Sequence, residues 1–230
     1  MKELLCDSFF FGVMVSIIGY KIGLFLKKKF HKAIFNPLLI SIVFVMAVLV
    51  IFGVDYKSYN NGAKYLSYLL TPATVCLAIP LYQQLELLKR NVKAILAGIL
   101  SGVLSSLGSV FLFSKLFHFT HEQYVTLLPK SITTAIGMGV SEELGGIVTI
   151  TVAVIIITGV LGNMLAEIIC KVFRINESIS KGIAIGTASH AIGTSKAMEM
   201  GEIEGAMSSL AIAVSGLLTV VGASIFANFM

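Results

Sequence analysis

The sequence predicts an all-α, polytopic integral membrane protein, and its composition and its apolar runs are the observations that predict it. Of the 230 residues, 57% are hydrophobic and only 13% are charged, whereas a soluble domain carries about 25% charged residues. The chain therefore cannot cover its apolar side chains with a polar shell, which excludes an ordinary soluble enzyme and a disordered protein. A spanning helix takes about 20 apolar residues, so we expect about seven or eight membrane segments, some of them interrupted or re-entrant.

The basic residues and the cysteines set further bounds. The net charge of +5 comes from short basic loops, which set orientation in a membrane and do not indicate nucleic-acid binding. The three cysteines form no CxxC motif, so neither a disulfide framework nor a metal site is expected. Because no nucleotide loop, metal-ligand array or nucleophile elbow occurs, we expect no cofactor and no enzyme activity.

Two plain spans come first, at about residues 8–26 and 33–54. Between them lie Lys27, Lys28, Lys29 and Lys32, which the positive-inside rule places in the cytoplasm. The N-terminus is then extracytoplasmic, in a multi-pass protein of the cell membrane. The first run lacks a small-residue cleavage site, so we interpret it as a retained span and not as a signal peptide.

From residue 65 onward, interrupted segments alternate with clean ones. Pro, Gly and hydroxyl residues interrupt residues 65–86, 131–143 and 179–200, whereas residues 94–117, 147–172 and 206–229 are uninterrupted. We therefore predict one transmembrane domain over residues 1–230, with two plain spans in 1–54 and alternating segments in 65–230.

The orientation of the second half depends on residues 131–143. If this segment crosses the bilayer, Lys171, Arg174 and Lys181 lie outside, against the positive-inside rule; if it enters and returns, they lie inside. About 13 residues of helix reach only about 20 Å, which favours the re-entrant interpretation.

A short pattern occurs three times. Counting from Ala78, Ala135 and Ala191, the copies are 57 and 56 residues apart. The copies are Ala-Ile-Pro at 78–80 before Glu86, Ala-Ile-Gly at 135–137 before Glu143, and Ala-Ile-Gly at 191–193 before Glu199. They indicate internal repeats, which many transporters share; chance matching in an Ala/Ile/Gly-rich chain is the alternative.

The interrupted segments are the strongest functional signal. Irregular backbone at membrane depth is tolerated only inside protein or against water, and the N-terminal ends of half-helices suit a carboxylate. Together with the hydroxyl groups there, they predict a site for a small organic anion; ordinary kinks that let helices pack closely are the alternative. The candidate substrate-binding residues are Thr74, Thr133, Thr134, Thr187, Ser189, His190 and Thr194.

Two residues are candidates for proton or ion coupling. His190 could bind an anion or carry a proton, because histidine titrates near physiological pH; a neutral histidine bonded to a carbonyl is the alternative. Glu143 adjoins a Gly-rich break, although a loop-exposed Glu142–Glu143 pair fits equally well. Asn163 and Glu167 share one helix face, where an interhelical contact is the favoured interpretation.

Several stretches carry a resemblance to a known family. Gly-Thr-Ala-Ser-His-Ala-Ile-Gly-Thr at 186–194 and Glu-Ile-Glu-Gly-Ala-Met-Ser-Ser at 202–209 closely resemble the LrgB/CidB family signature. Matching pieces also occur at 71–75, 78–82 and 141–147. Where the family often has an Arg-Ala-like pair, this chain has Lys196-Ala197, which keeps the charge but not the guanidinium geometry.

The resemblance implies two functions. Bacterial members are described as antiholin-like proteins that modulate murein hydrolase activity and cell lysis with a small holin-like partner of the LrgA/CidA type. Related plastid proteins move glycolate and glycerate, and bacterial members are linked to pyruvate.

Our main hypothesis is a carrier of such small monocarboxylates, with proton coupling through His190 as an option and a homodimer as a plausible assembly. The alternative is an antiholin-like regulator that acts through its partner and has no substrate of its own. An intramembrane enzyme is disfavoured, because no nucleophile–base pair is visible.

Overall fold

A computed structural model describes residues 10–30 and 35–230, with only the backbone described at Leu70, Thr71 and Thr74. These residues form helices and connecting turns, and none of the described ranges contains a strand. The chain divides after Cys76 into two compact units. The predicted single domain over 1–230 stays a prediction.

Residues 10–30 and 35–76, the described part of the first unit, form four helices. They are α1 (Phe11–Phe30), α2 (Pro37–Phe52), α3 (Tyr56–Ser67) and α4 (Leu70–Cys76). Glycines let α1 pack closely: Gly19 faces Ser41 of α2, and Gly12 faces Tyr59 of α3. Ser16 also bonds the Tyr59 hydroxyl, with 2.8 Å between the oxygens. Helices α1 and α2 overlap the two predicted plain spans, but neither is among the described helices that are long and apolar enough to cross a membrane, so both spans stay predictions.

The second unit contains seven helices within the described residues. They are α5 (Ala78–Gln83), α6 (Leu85–Leu116), α7 (His121–Leu127), α8 (Thr134–Glu143), α9 (Val148–Val172), α10 (Ser178–Met200) and α11 (Glu202–Ala227). Of all described helices, α6, α9 and α11 are long and apolar enough to cross a membrane. The structure thus supports a helical membrane protein, and the expected seven or eight segments stay a prediction.

Helix α10 reverses direction at Ser189 and His190, whose backbone angles are non-helical (φ −133°, ψ 17° and φ 43°, ψ −142°). A Cβ added at Gly193 would overlap Ser189 and lie 3.1 Å from Ile185 Cγ2. In a straight helix, residues 185 and 193 would stand about 12 Å apart. The arms α10a (residues 178–188) and α10b (191–200) therefore lie side by side, and we call them hairpin 2.

Both arms of hairpin 2 pack along α11. A Cβ at Gly182 would lie 2.7 Å from Met207 Cβ, and one at Gly186 would lie 2.8 Å from Ala211 Cβ, so α10a runs parallel to α11. Thr194 bonds Ser208, whereas Met198 lies against Gly205, so α10b runs antiparallel. The predicted interrupted segment 179–200 therefore enters and leaves at the same end of α11.

Helices α7 and α8 form a second such unit, hairpin 1, which turns at residues 128–133. The Thr126 hydroxyl accepts a bond from the Ile147 amide (2.8 Å), so α7 lies beside the start of α9. Along α8, Ser141 bonds Thr151 at 2.7 Å and Gly137 contacts Ile155, so α8 runs antiparallel to α9. Hairpin 1 therefore begins and ends at the N-terminal end of α9.

This arrangement corrects one boundary in the sequence analysis. Helix α8 returns toward the N-terminal end of α9, and the hairpin starts before residue 131, because α7 supplies the incoming arm. The re-entrant interpretation of residues 131–143 stays a prediction. Residues 118–130 lie between the predicted segments 94–117 and 131–143, yet a capping box between Thr120 and Gln123 starts a helix there. Burial of Tyr124, Val125 and Leu128 holds that helix in the core.

The hairpins enter the second unit from opposite ends, and their tips reach the same level. Hairpin 1 starts beside the N-terminal end of α9, and hairpin 2 starts beside its C-terminal end, where Glu167 meets Lys196. On α6, Gly102 faces Thr187 of hairpin 2, and Ser106 bonds Ser131 of hairpin 1. Residues 102 and 106 are one helical turn apart, about 6 Å, so the tips meet near the middle of the long helices.

Candidate functional site

The tip of hairpin 2 contains His190, which is 3% exposed. Its Nε2 lies 3.0 Å from the Ile155 carbonyl of α9, so Nε2–H is the donor. A Cβ at Gly159 would lie 2.8 Å from His190 Cε1, so glycine leaves the space for the ring. The carbonyl-bonded histidine considered from the sequence is the arrangement observed.

Three hydroxyl groups near the turn of hairpin 2 are buried and donate to nearby carbonyl groups. Thr187 donates to Ile183 O (2.7 Å), Ser189 to Ile185 O (2.8 Å) and Thr194 to His190 O (3.0 Å). The last two bonds bracket the turn at His190. These side chains therefore stabilise the ends of the two arms, in the local manner typical of Ser and Thr.

The tip of hairpin 1 holds Thr133 and Thr134, both partly buried. Thr133 is the N-cap of α8, and no side-chain bond caps that helix. Just before them, Lys130 Nζ donates to Ser131 Oγ (3.0 Å) and to Ser106 Oγ of α6 (3.2 Å). Ser106 Oγ in turn lies 3.0 Å from Ser131 Oγ.

Lys130, Ser131 and Ser106 are absent from the candidates chosen by sequence. Lys130 lies directly before the predicted interrupted segment 131–143, and Ser106 lies within the predicted uninterrupted segment 94–117. The available signal was a lysine next to Pro129 and directly before a Ser-Ile-Thr-Thr break.

Two other candidates belong to neither hairpin tip. Glu143 is exposed at the far end of α8, nine residues and about 14 Å of helix from Thr134. Thr74 belongs to α4 of the first unit, and its side chain lies outside what the structure describes. Hairpin 2 contains Thr187, Ser189, His190 and Thr194, and the hairpin 1 tip contains Thr133 and Thr134.

The polar face of α9 contacts α10b. Asn163 Nδ2 donates to Ile192 O (2.7 Å) and to Ser195 Oγ (3.0 Å). One turn on, Glu167 pairs with Lys196 at 2.6 Å, and Lys196 also pairs with Glu199 at 3.3 Å. This is the interhelical contact that the sequence favoured for Asn163 and Glu167.

An open cleft of about 480 Å³ lies at the base of hairpin 2. Its lining includes carboxylates and lysines from α9, α10 and α11, namely Glu167, Lys171, Lys181, Glu199 and Glu204. No group of three or more His, Cys, Asp or Glu within residues 10–30 and 35–230 is arranged to hold a metal ion.

Comparison with known proteins gives a consistent result. The LrgB-like family matches residues 16–229. The chain is 40% identical over 207 residues to holin-like protein CidB of Staphylococcus aureus (strain Mu50 / ATCC 700699), covering 90% of each protein. It is 39% identical over 222 residues to antiholin-like protein LrgB of Bacillus subtilis (strain 168), covering 96% of each. No solved structure matches the chain. The chain therefore belongs to the LrgB-like family.

Proposed function

We propose that this protein acts in the cell membrane as a holin- or antiholin-like regulator of murein hydrolase activity and lysis. The names of the curated relatives, at 39–40% identity over 90% or more of the chain, carry this proposal. They favour it over the carrier hypothesis. In this role the protein works with a small holin-like membrane partner.

As a second candidate, and as a molecular activity that could underlie the first, we propose the passage of small monocarboxylates such as glycolate, glycerate and pyruvate. The observation that favours it is the pair of hairpins whose tips meet between α6, α9 and α11. Helix ends at membrane depth must be covered by protein or water, and the N-terminal ends of α8 and α10b attract anions. Passage of weak acids changes envelope energetics, which links the two candidates.

The order of elements supports an inverted repeat. A hairpin followed by a long helix occurs twice, as hairpin 1 with α9 and as hairpin 2 with α11, and the two copies run in opposite directions. The repeated sequence pattern fits this proposal: Ala135 and Ala191 lie near the start of the returning arms, whereas Glu143 and Glu199 lie near their ends. Transporters built from inverted repeats bind substrate where the repeats meet.

Basic residues support one orientation of the second unit. The end at which α6 starts and hairpin 2 enters carries six basic residues, namely Lys89, Arg90, Lys93, Lys171, Arg174 and Lys181. By the positive-inside rule, this end is cytoplasmic, hairpin 2 enters from the cytoplasm, and hairpin 1 enters from outside. This is the outcome that the re-entrant interpretation requires.

The hairpin 2 tip is closely packed, so passage requires movement. Gly162 faces Ser189, and Gly193 faces both Ser189 and Ile185. We propose that the structure is a closed state, in which a hairpin must shift to admit the anion. A homodimer, the assembly considered from the sequence, would give the moving parts a fixed support.

Uptake of labelled glycolate and pyruvate into proteoliposomes of the purified protein tests the second candidate. We expect the wild-type protein to take up both acids. We expect His190→Ala to lower this uptake several-fold, because His190 links the hairpin 2 tip to α9. His121→Ala is the matched control, since His121 also lies close to a backbone carbonyl (2.7 Å from Met230 O) but at the base of hairpin 1. Equal uptake by both variants would remove His190 from the mechanism.

Transport by the purified protein, together with murein hydrolase activity in cells, distinguishes the two candidate functions. If the purified protein moves none of these acids, while murein hydrolase activity in cells depends on this protein together with a holin-like partner, the regulator stands alone. If it moves acids without a partner, the carrier activity stands.

A further inference from the structure

The tip of hairpin 1 places an ammonium group near the middle of the long helices. Lys130 is partly buried, and its Nζ contacts Ser131 Oγ and Ser106 Oγ at 3.0 and 3.2 Å. Ser106 follows Gly102 by one turn of α6, and Gly102 packs against Thr187 of hairpin 2. Lys130 therefore lies at the level where the two hairpin tips meet.

The positive charge of Lys130 has no carboxylate partner in the part of the chain that the structure describes. The ion pairs found in that part belong to Lys196, at the base of hairpin 2. Serine hydroxyls solvate an ammonium group but do not neutralise it. A charge inside a membrane protein is costly, and such residues pair with an opposite charge or mark the path of an ion.

The surroundings of Lys130 add positive electrostatic potential and limit the size of a ligand. Helix α8 starts four residues later without a side-chain cap, so its first N–H groups and its dipole present partial positive charge near the same tip. Leu128, Pro129 and Ile132 are buried beside it. The space beside Lys130 is therefore small, has a positive electrostatic potential and is lined by hydroxyl groups.

We propose that Lys130 binds the carboxylate of a small organic anion, with Ser106 and Ser131 as hydrogen-bonding partners. An ammonium group has three donors, two of which reach the serines. The third can reach a carboxylate oxygen, and a serine can turn its hydroxyl toward the other oxygen. His190 is less suited to this role, because its Nε2 proton is directed at Ile155 O. The inference rests on the carrier activity proposed above.

A purely structural role for Lys130 is the competing explanation, because its bonds also attach the hairpin 1 tip to α6. The two explanations differ in their dependence on ligand charge. A carboxylate-binding lysine discriminates between pyruvate and its neutral amide, whereas a lysine that only fixes the tip affects both ligands alike.

The test is equilibrium binding of labelled pyruvate to the purified protein, followed by competition with pyruvamide. Charge-assisted bonds of this kind correspond to about 10- to 100-fold in affinity, so Lys130→Met should weaken pyruvate binding by about that factor. Lys130→Arg should recover most of the binding, and pyruvamide should bind Lys130→Met as it binds the wild type. Lys115→Met is the matched control, since Lys115 lies over the Phe111 ring near the end of α6.

The binding results distinguish a ligand-binding role of Lys130 from a structural one, and both from a failure of the carrier activity. Unchanged pyruvate binding by Lys130→Met overturns the inference and leaves the carrier activity standing; equal loss of pyruvate and pyruvamide overturns it in favour of a structural role. Absence of pyruvate binding by the wild type overturns the inference, and absence of glycolate, glycerate and pyruvate transport rejects the carrier activity itself. If Lys130→Met does not fold by circular dichroism and gel filtration, the Ser106→Ala/Ser131→Ala variant decides: binding about 5- to 30-fold weaker supports the inference, and unchanged binding overturns it.

Discussion

Hairpin 1 and hairpin 2 have the same course but are built differently. Hairpin 2 turns within two residues, and glycines leave room for its close packing. Gly102 of α6 contacts the Thr187 side chain, Gly159 and Gly162 of α9 contact His190 and Ser189, and Gly186 approaches the backbone of Ser208. Hairpin 1 turns over residues 128–133, has a shorter incoming arm, and is attached to α6 by Lys130 and Ser131.

The difference indicates that two hairpins with the same course can have different roles, one structural and one in ligand binding. The polar groups at the hairpin 2 tip donate to backbone carbonyls, so close packing fixes this tip. At the hairpin 1 tip an ammonium group contacts only hydroxyl groups among the described residues, so that tip keeps capacity for a ligand. We therefore expect packing changes to matter most in hairpin 2 and charge changes to matter most in hairpin 1.

The largest expected difference between the hairpins is the change in stability when a glycine of each one is replaced by alanine. Gly186→Ala places a Cβ 2.5 Å from Ser208 O, and such overpacking costs about 1–3 kcal/mol. Gly139→Ala in α8 meets nothing within 4 Å, so its better helix propensity should stabilise by up to about 1 kcal/mol. Unfolding midpoints of the purified variants in denaturing detergent measure both changes. Equal effects of the two changes would show that Gly186 is not packed against α11 as closely as described.

A smaller effect separates the conformation of His190 from its side-chain bond. The positive φ of 43° is strained for any residue but glycine, at about 1–3 kcal/mol. His190→Ala and His190→Gly both lose the bond to Ile155 O, but only glycine relieves the strain. We expect His190→Gly to be the more stable variant by about 1 kcal/mol in the same unfolding assay. A more stable alanine variant would mean that the turn at residue 190 differs from that described.

Much of the fold could be predicted from the sequence, because membrane helices follow directly from apolar length. The clean segments 94–117, 147–172 and 206–229 correspond to α6, α9 and α11, and the breaks near 131 and 190 coincide with the hairpin turns. The direction of the chain after each break could not be predicted, because a Gly/Ser-rich interruption is compatible with a kink or with a reversal. Only the contacts of Gly193, Gly186 and Gly137 decide between them.

The candidate site was predicted unevenly for a similar reason. His190 and the hydroxyls near it stand out in an apolar run, so composition alone identified the segment that forms hairpin 2, although not its reversal. Lys130 lies in a stretch with ordinary loop composition, and its contact with Ser106 joins residues 24 apart in the chain. Such a contact depends on the packing of α6 against hairpin 1, which no local pattern encodes.

Accessibility of single cysteines from either side of the membrane tests the paired-hairpin fold most directly. In a variant without Cys6, Cys76 and Cys170, a cysteine is placed at Glu177 or Glu199, which flank hairpin 2, or at Gln123 or Glu142, which flank hairpin 1; all four are exposed. An impermeant maleimide should label positions 177 and 199 from one side, and 123 and 142 from the other. Labelling of 177 and 199 from opposite sides would mean that α10 crosses the membrane, and the account of two meeting hairpins would be wrong.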